Sequence, residues 1–437
     1  MSAQACVRNQ AENPAPARAG PATPSRPLHI VLAGPIAGDD IAGYLYPSEL
    51  AKQLPIGYLG APLMGILIGQ LLALGHRVTG ITTDSALSHK QGAITRQGPG
   101  FSFVVCPARP QAWRNNGWRL GRVVDLFSQE RSLIRSAMLA ARPDIVHAHW
   151  SYEFALAAID QPAPHLITCH DAPAVVLRFT RSPYRALRYL MARQVFRRGN
   201  AFTTVSDYMA RELAPALHAV PQVVANPVAP YVFALGRDRQ WPATRKVVMV
   251  CNGWNRLKNP EPALRGFALW RATEPLAELH LYGADFGPGE RGQLWAVAHG
   301  MADGVHFHGR LPHLELVQRM AMADVLLHTS LEESFGVVLA EAMALGLPVV
   351  AGRHSGAVPW VVGTDDAGQT LCGHLVDVVS PVFVSHGLIA AFDSAYGSYS
   401  AAGRLQAVQR FSPTTVASTY TDLYATILET KHVRPPG

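Results

Sequence analysis

The sequence predicts an α/β protein of two doubly wound, mostly parallel-sheet domains facing each other across a cleft. Three observations predict it. At 437 residues the chain exceeds what one ordinary core fills. Short β-branched runs alternate with helical patterns, the punctuation of parallel strands joined by right-handed crossovers. The series then restarts after a Pro-rich stretch without clear periodicity, Asn226–Thr244.

In the first series, His29–Ala33, Arg77–Thr83, Phe101–Cys106, Asp144–His149, His165–Cys169, Ala201–Val205 and Gln222–Ala225 read as strands. Helices are expected over Pro62–Leu74, Arg119–Ala141, Ser182–Arg197 and Asp207–Leu213. The second series runs strand Lys246–Cys251, helix Pro260–Ala272, strand Glu278–Tyr282, helix Glu290–His299, strand Val305–His308 and helix Leu314–Met322. Strand Asp324–His328, helix Gly336–Leu345 and strand Pro348–Ala351 complete it. The expected division is a disordered tail over 1–26, an N-terminal domain over 27–226, a linker over 227–244 and a C-terminal domain over 245–412. Ligands of such sheets sit outside the carboxyl ends of the strands, so the loops after each strand should line the cleft.

Hydrophobic residues make up 49% and charged ones 16%, which excludes a disordered chain and suits a well-buried one. The net charge of +7, mostly arginine, favours an anionic ligand or surface, a nucleotide diphosphate or lipid phosphate before nucleic acid. No nucleic-acid-binding module accompanies the charge. The five cysteines are odd in number and lack any C-x-x-C, against a disulfide framework or zinc site and in favour of a cytoplasmic setting. The first residues hold no apolar signal-peptide core. Leu54–Gly75 is uncharged over 22 residues, but its glycines and prolines leave at most a helix of about 20 Å, read as packed inside the fold.

The segment Thr329–Ala351 carries the chemistry. Ser334 is the expected N-cap, Gly336 lets a ligand approach the first turn, and the helix ends at Gly346. The amides of such a first turn, with the helix dipole behind them, suit a pyrophosphate. Glu333 and Glu341 would lie about 12 Å apart along a helix. That is too far for a carboxylate pair working on one bond, which needs roughly 5–9.5 Å. The spacing suits grips on two ends of an extended ligand. Neither domain carries G-x-G-x-x-G after its first strand, which weakens a dinucleotide oxidoreductase reading.

The run E-S-F-G-V-V-L-A-E-A-M-A-L-G-L-P-V-V (Glu333–Val350) resembles the E-x7-E signature of retaining glycosyltransferases of family 4, which have the GT-B fold of two Rossmann-like domains. H-A-H-W-S-Y-E-F-A-L-A-A-I (His147–Ile159), T-C-H-D-A-P (Thr168–Pro173), T-T-V-S-D-Y (Thr203–Tyr208) and A-N-P-V (Ala225–Val228) are similar to the family's N-domain strand ends. The resemblance implies Glu333 at the donor sugar, Glu341 at the ribose, and Ser334, Phe335 and the Gly336, Val337 and Val338 backbone at sugar and phosphates. It implies Lys258 at the leaving phosphate and His170 facing the reacting sugar, with Gly60, His149 and Asp171 on the N-domain side of the cleft. It implies a last helix near 413–430 that crosses back onto the N-domain. Two positions depart: Gly253 stands where the family has an arginine, with Arg256 as substitute, and Gly356–Trp360 reads G-A-V-P-W for G-G-x-P-E.

The expected activity is retaining sugar transfer from a nucleotide-diphosphate donor to a glycan, glycolipid or small molecule, with cell-surface polysaccharide synthesis as the setting. The resemblance implies no cofactor and no metal, and no D-x-D ends a strand. His147, His149, His170 and Asp171 as a metal cluster is the lesser reading, because strand ends lining a cleft explain them. Arg178, Arg181, Arg185, Arg188, Arg193, Arg197 and Arg198 suggest either a solvated helix face or peripheral docking on anionic lipid. The alternatives are a GT-B epimerase or phosphorylase, and a nucleotide-sugar-binding partner without catalysis.

Overall fold

The computed structural model describes residues 26–88, 92–217, 219–364 and 368–433. The tail reading, apart from Arg26, and Cys6 lie outside them. The first sheet comprises β1 (His29–Ala33), β2 (Arg77–Asp84), β3 (Ile94–Gly98), β4 (Phe101–Pro107), β5 (Ile145–His149), β6 (His165–Cys169), β7 (Phe202–Thr204) and β8 (Gln222–Val223). Its order is β3-β4-β2-β1-β5-β6-β7-β8, parallel except for β3. The second comprises β9 (Lys246–Val250), β10 (Glu278–Tyr282), β11 (Val305–Gly309), β12 (Val325–His328), β13 (Val349–Gly352) and β14 (Gly373–Val376), in the all-parallel order β11-β10-β9-β12-β13-β14. In each sheet the first strand lies centrally and the strand order reverses beside it, the switch point where doubly wound sheets open a crevice.

The central strands β1, β5 and β12 are buried on both faces because helices cover both. Several expectations need correction. The helix expected from Arg119 begins at Ser128. Leu126 and Phe127 stand in left-handed conformation before it, and the preceding loop folds around the buried side chain of Arg109. The expected linker is not featureless: it holds the helix Pro230–Leu235, which packs on Val337–Leu345, and the buried Arg239. The uncharged segment gives the eleven-residue helix Leu63–Ala73. Among the described residues no helix is long and apolar enough to cross a membrane.

The final helix, Pro413–Val433, packs against Leu63–Ala73 and buries Tyr420 and Tyr424 in the N-terminal sheet's core. There Tyr424 Oη lies 2.7 Å from His147 Nδ1, whose Nε2 lies 2.7 Å from Thr168 Oγ1. Both nitrogens of His147 are thereby engaged, which removes it from any metal reading. Tyr424→Phe should cost about 1–3 kcal/mol, the penalty of a buried polar atom losing its partner, and a urea titration would read it.

Candidate functional site

β9 runs into a turn that ends at Asn259, whose backbone is left-handed. Asn259 Nδ2 donates to the carbonyls of Thr329 (3.1 Å) and Val378 (2.9 Å), and Thr329 Oγ1 donates back to the Asn259 carbonyl at 3.0 Å. These bonds tie the turn to the loop after β12. Leu331 N–H to the Leu257 carbonyl, 2.8 Å, makes a second tie. Lys258 therefore reaches Glu333, with Nζ 2.7 Å from Oε1. His328 Nε2 lies 3.4 Å from the same oxygen. Burial pushes the Glu333 carboxyl up, but His328 and Lys258 outweigh it and hold the group at about 2.

The helix Val337–Leu345 starts after Gly336, at φ +86°. Gly336 occupies the cap position, and Ser334 does not cap; its carbonyl instead accepts from Ser206 Oγ of the N-terminal half at 2.7 Å. Phe335 is buried against Trp360 and Phe411, so its ring is a core group and only its backbone faces the helix head. Trp360, in turn, has the Arg410 guanidinium 4.1 Å from its ring centre, so the residue departing from the family pattern packs the core behind the loop. Gly356, left-handed at φ +60°, lets that loop pass: a Cβ there would sit 2.6 Å from the Glu333 carbonyl oxygen. That carbonyl accepts from Ala357 N–H at 2.8 Å, which fixes the backbone of Glu333.

Glu341 is buried, with Oε1 2.7 Å from His313 Nε2. The hydrogen bond to Glu341 raises the His313 pKa against the effect of burial. His313 Nδ1 meets the Tyr231 hydroxyl. A cavity of about 520 Å³ opens beside this group, where Gly60, Tyr44 and Gln70 of the N-terminal half face Val337, Glu341 and His313. A Cβ on Gly60 would meet nothing within 4 Å.

On the N-terminal side, His149 Nδ1 lies 2.8 Å from His170 Nε2 at the ends of β5 and β6. Trp150 stacks on His170 with ring centres 4.2 Å apart, and holds a left-handed backbone at φ +65°. Such a conformation is strained for a bulky residue and is commonly retained where it positions a functional group. Burial lowers the His170 pKa to about 3, so the ring is neutral at physiological pH. Asp171 accepts from Tyr152 Oη at 2.8 Å, and burial raises its pKa.

The structure thus joins Glu333 to Lys258 and His149 to His170, and brings Gly60, Val337 and Glu341 together around the cavity. Val338 stands half-buried in the first turn. Gly253, at φ +100°, ties the turn to the next strand's loop through its N–H to the Ala284 carbonyl, 3.1 Å. Arg256 does not join Lys258: it lines a separate depression with Arg265 and Arg291. Arg188 is buried, paired with Glu153, with its guanidinium 3.8 Å from the Tyr152 ring centre, so it is not part of an exposed basic face. His313, Tyr231 and His328 belong to no sequence motif, and only the fold brings them to the glutamates.

Comparison with known proteins bears on the family and the fold. The model described as Glycosyltransferase Family 4 matches residues 65–232, and that described as Glycosyl transferases group 1 matches residues 235–381. The D-inositol 3-phosphate glycosyltransferase of Stackebrandtia nassauensis is 29% identical over 318 residues, 66% of this chain and 70% of that one. The protein of the same name from Corynebacterium jeikeium is 36% identical over 144 residues, 32% of this chain and 34% of that one. The chain therefore spans about a third of the latter relative's length. Sucrose-phosphate synthase from Thermosynechococcus elongatus superimposes with a TM-score of 0.69 at 17% identity, covering 93% of this chain and 100% of that one. Anabaena HepE in complex with UDP-glucose gives 0.60 at 17% identity, covering 91% and 100%. The chain belongs to the family 4 glycosyltransferases and has their GT-B fold.

Proposed function

We propose that the chain transfers a sugar from a nucleotide-diphosphate donor to a hydroxyl acceptor, with retention and without a catalytic metal. The Lys258–Glu333 pair, set at the head of the helix Val337–Leu345, carries this reading. The diphosphate lies over the amides of Gly336–Val338, Lys258 Nζ takes the negative charge that develops as the nucleotide leaves, and Glu341 accepts from the ribose hydroxyls. Glu333, charged at all physiological pH values, accepts from hydroxyls of the transferred sugar. Neutral His170 hydrogen-bonds the sugar from the other wall of the cleft. The departing phosphate oxygen takes the acceptor's proton as the acceptor attacks the same face.

The UDP-glucose of the Anabaena neighbour supports a nucleotide-sugar donor, and the relatives' names support a small phosphorylated polyol as acceptor beside glycan and lipid-linked ones. Peripheral contact with anionic membrane would use the exposed Arg181, Arg193 and Arg197, and salt-dependent vesicle co-sedimentation tests it.

The deciding experiment is a donor and acceptor panel with NMR of the product anomer; an inverted product would overturn the mechanism. Glu341→Ala should raise the donor KM by about tenfold to a hundredfold, the value of a hydrogen bond to a charged group. A donor KM that does not move would remove Glu341 from the ribose.

A further inference from the structure

Away from the cleft residues, one face of β10 and β11 is built of titratable side chains. Alternate positions of a strand share a face. On β10, Leu279 and Leu281 are buried on one face, which leaves Glu278, His280 and Tyr282 on the other. On β11, Phe307 is buried while His306 and His308 are exposed. In the parallel register His280 pairs with His306, and a register shift follows between Leu281 and Tyr282. His308 stacks on Tyr282 with ring centres 4.5 Å apart. Its Nε2 lies 3.0 Å from His280 Nδ1, and His280 Nε2 lies 3.2 Å from Glu278 Oε2. One ligating atom each from Glu278, His280 and His306 falls within 4.8 Å of the others. β11 is the edge strand and His306 and His308 are exposed, so the face is open to solvent along that edge, while Tyr282 at its inner end is buried.

We propose that Glu278, His280 and His306 bind a borderline divalent transition-metal ion, zinc in the first place, at a site separate from the sugar-nucleotide cleft. Two imidazoles and one carboxylate are a donor set suited to zinc. Metal–ligand distances of about 2.1 Å put tetrahedral ligands roughly 3.4 Å apart, so the set must close by about 1.4 Å at most. The exposed ring of His306 and the flexible Glu278 side chain can supply that movement.

His308 has a different task. With His280 Nε2 on the metal, the Nδ1–H of His280 donates to His308 Nε2, which fixes the tautomer and the ring plane of the ligand. Glu278 is shared with Lys246, whose Nζ lies 3.8 Å from Oε2, so metal must displace a weak ion pair. A fourth position is left for water.

The test is calorimetric titration of the untagged full-length chain with zinc and with magnesium at neutral pH. It is done in a Cys6→Ser background, because the other four cysteines are buried. One zinc equivalent is expected, with magnesium at least 100-fold weaker because it prefers an all-oxygen set (roughly, from its hard character). His306→Ala and Glu278→Gln should each weaken zinc by at least about tenfold. His308→Ala should weaken it by about 10–100-fold with the stoichiometry kept. His299→Ala, a surface histidine stacked on Trp295, should leave it unchanged. Zinc should also raise the melting temperature of the parent chain but not of His306→Ala. No saturable zinc binding in the micromolar range, or the same affinity in a His280→Ala/His306→Ala double variant, would overturn the proposal. These readouts do not depend on sugar transfer.

Discussion

Lys258→Ala should lower turnover by about 10²–10³-fold with the chain still folded, the usual loss when a group that stabilises developing charge is removed. The side chain is one of a partly buried pair, 2.7 Å from Glu333, and no second cation of the neighbouring turn replaces it, since Arg256 lines another depression. The same substitution should change the acid response. Glu333 is held at about 2, below the ordinary 4.5, so its folded-state pKa is depressed. Its contribution to stability is therefore fully present above about pH 4.5 and is lost as pH falls through about 2. A depression of that size corresponds to about 3 kcal/mol at most. In Lys258→Ala a large part of that acid-dependent contribution should vanish, and denaturant titrations near neutrality and at low pH would read the difference. Unchanged turnover would remove Lys258 from the leaving-group role; an unchanged acid profile would mean that His328 alone holds the carboxylate.

Arg109→Met should cost about 3–5 kcal/mol, because it strands the buried Glu130 carboxylate and unpairs the half-buried Asp125. Arg109 is 1% exposed. Its Nη1 and Nη2 donate to the two oxygens of Asp125 at 2.7 and 2.8 Å, and Nη2 and Nε donate to Glu130 at 2.6 and 3.0 Å. Glu130 is equally buried and also accepts from the Arg109 backbone N–H at 2.9 Å. Without the guanidinium, Glu130 must stay charged and unpaired or take up a proton. Adding Glu130→Gln should restore part of the loss, a non-additivity that a double-mutant cycle measures. A cost under about 1 kcal/mol for the single replacement would show that water reaches these carboxylates.

The same arginine explains a misreading. Val123, Phe127, Ile134 and Met138 are all buried and fall at helical spacing, so the sequence reads as helix from Arg119. The pairing of Asp125 with Arg109 instead draws residues 119–127 into a compact loop, a long-range cause that leaves no local periodicity. Strands buried on both faces were legible because they are largely apolar runs, β1 and β6 to the residue. β3, with the sequence I-T-R-Q-G, was missed because an antiparallel edge strand buries little. β14, G-H-L-V, is too short to show a period.

At the site, Glu333, Glu341 and Lys258 could be read because they stand in a contiguous string or at a fixed place after a strand. His313 and Tyr231 come from separate elements: His313 meets Glu341, and Tyr231 meets His313, only in the folded chain. Trp360 looked like a lost acid, whereas its ring fills the space between Phe335 and Arg410. The arginine run misled through its spacing: one register position, Arg188, points inward to Glu153.

The last helix has a consequence for the order in which a growing chain can mature. Tyr420 and Tyr424 fill part of the core beneath β1 and β5, yet they leave the ribosome more than 250 residues after His147, their partner. The first sheet must therefore wait, with an apolar trough uncovered, while the entire second sheet is synthesised. Chains ordinarily mature domain by domain from the first one made. Here the earlier half is the later one to be sealed, because the helix that covers it is the last to be made.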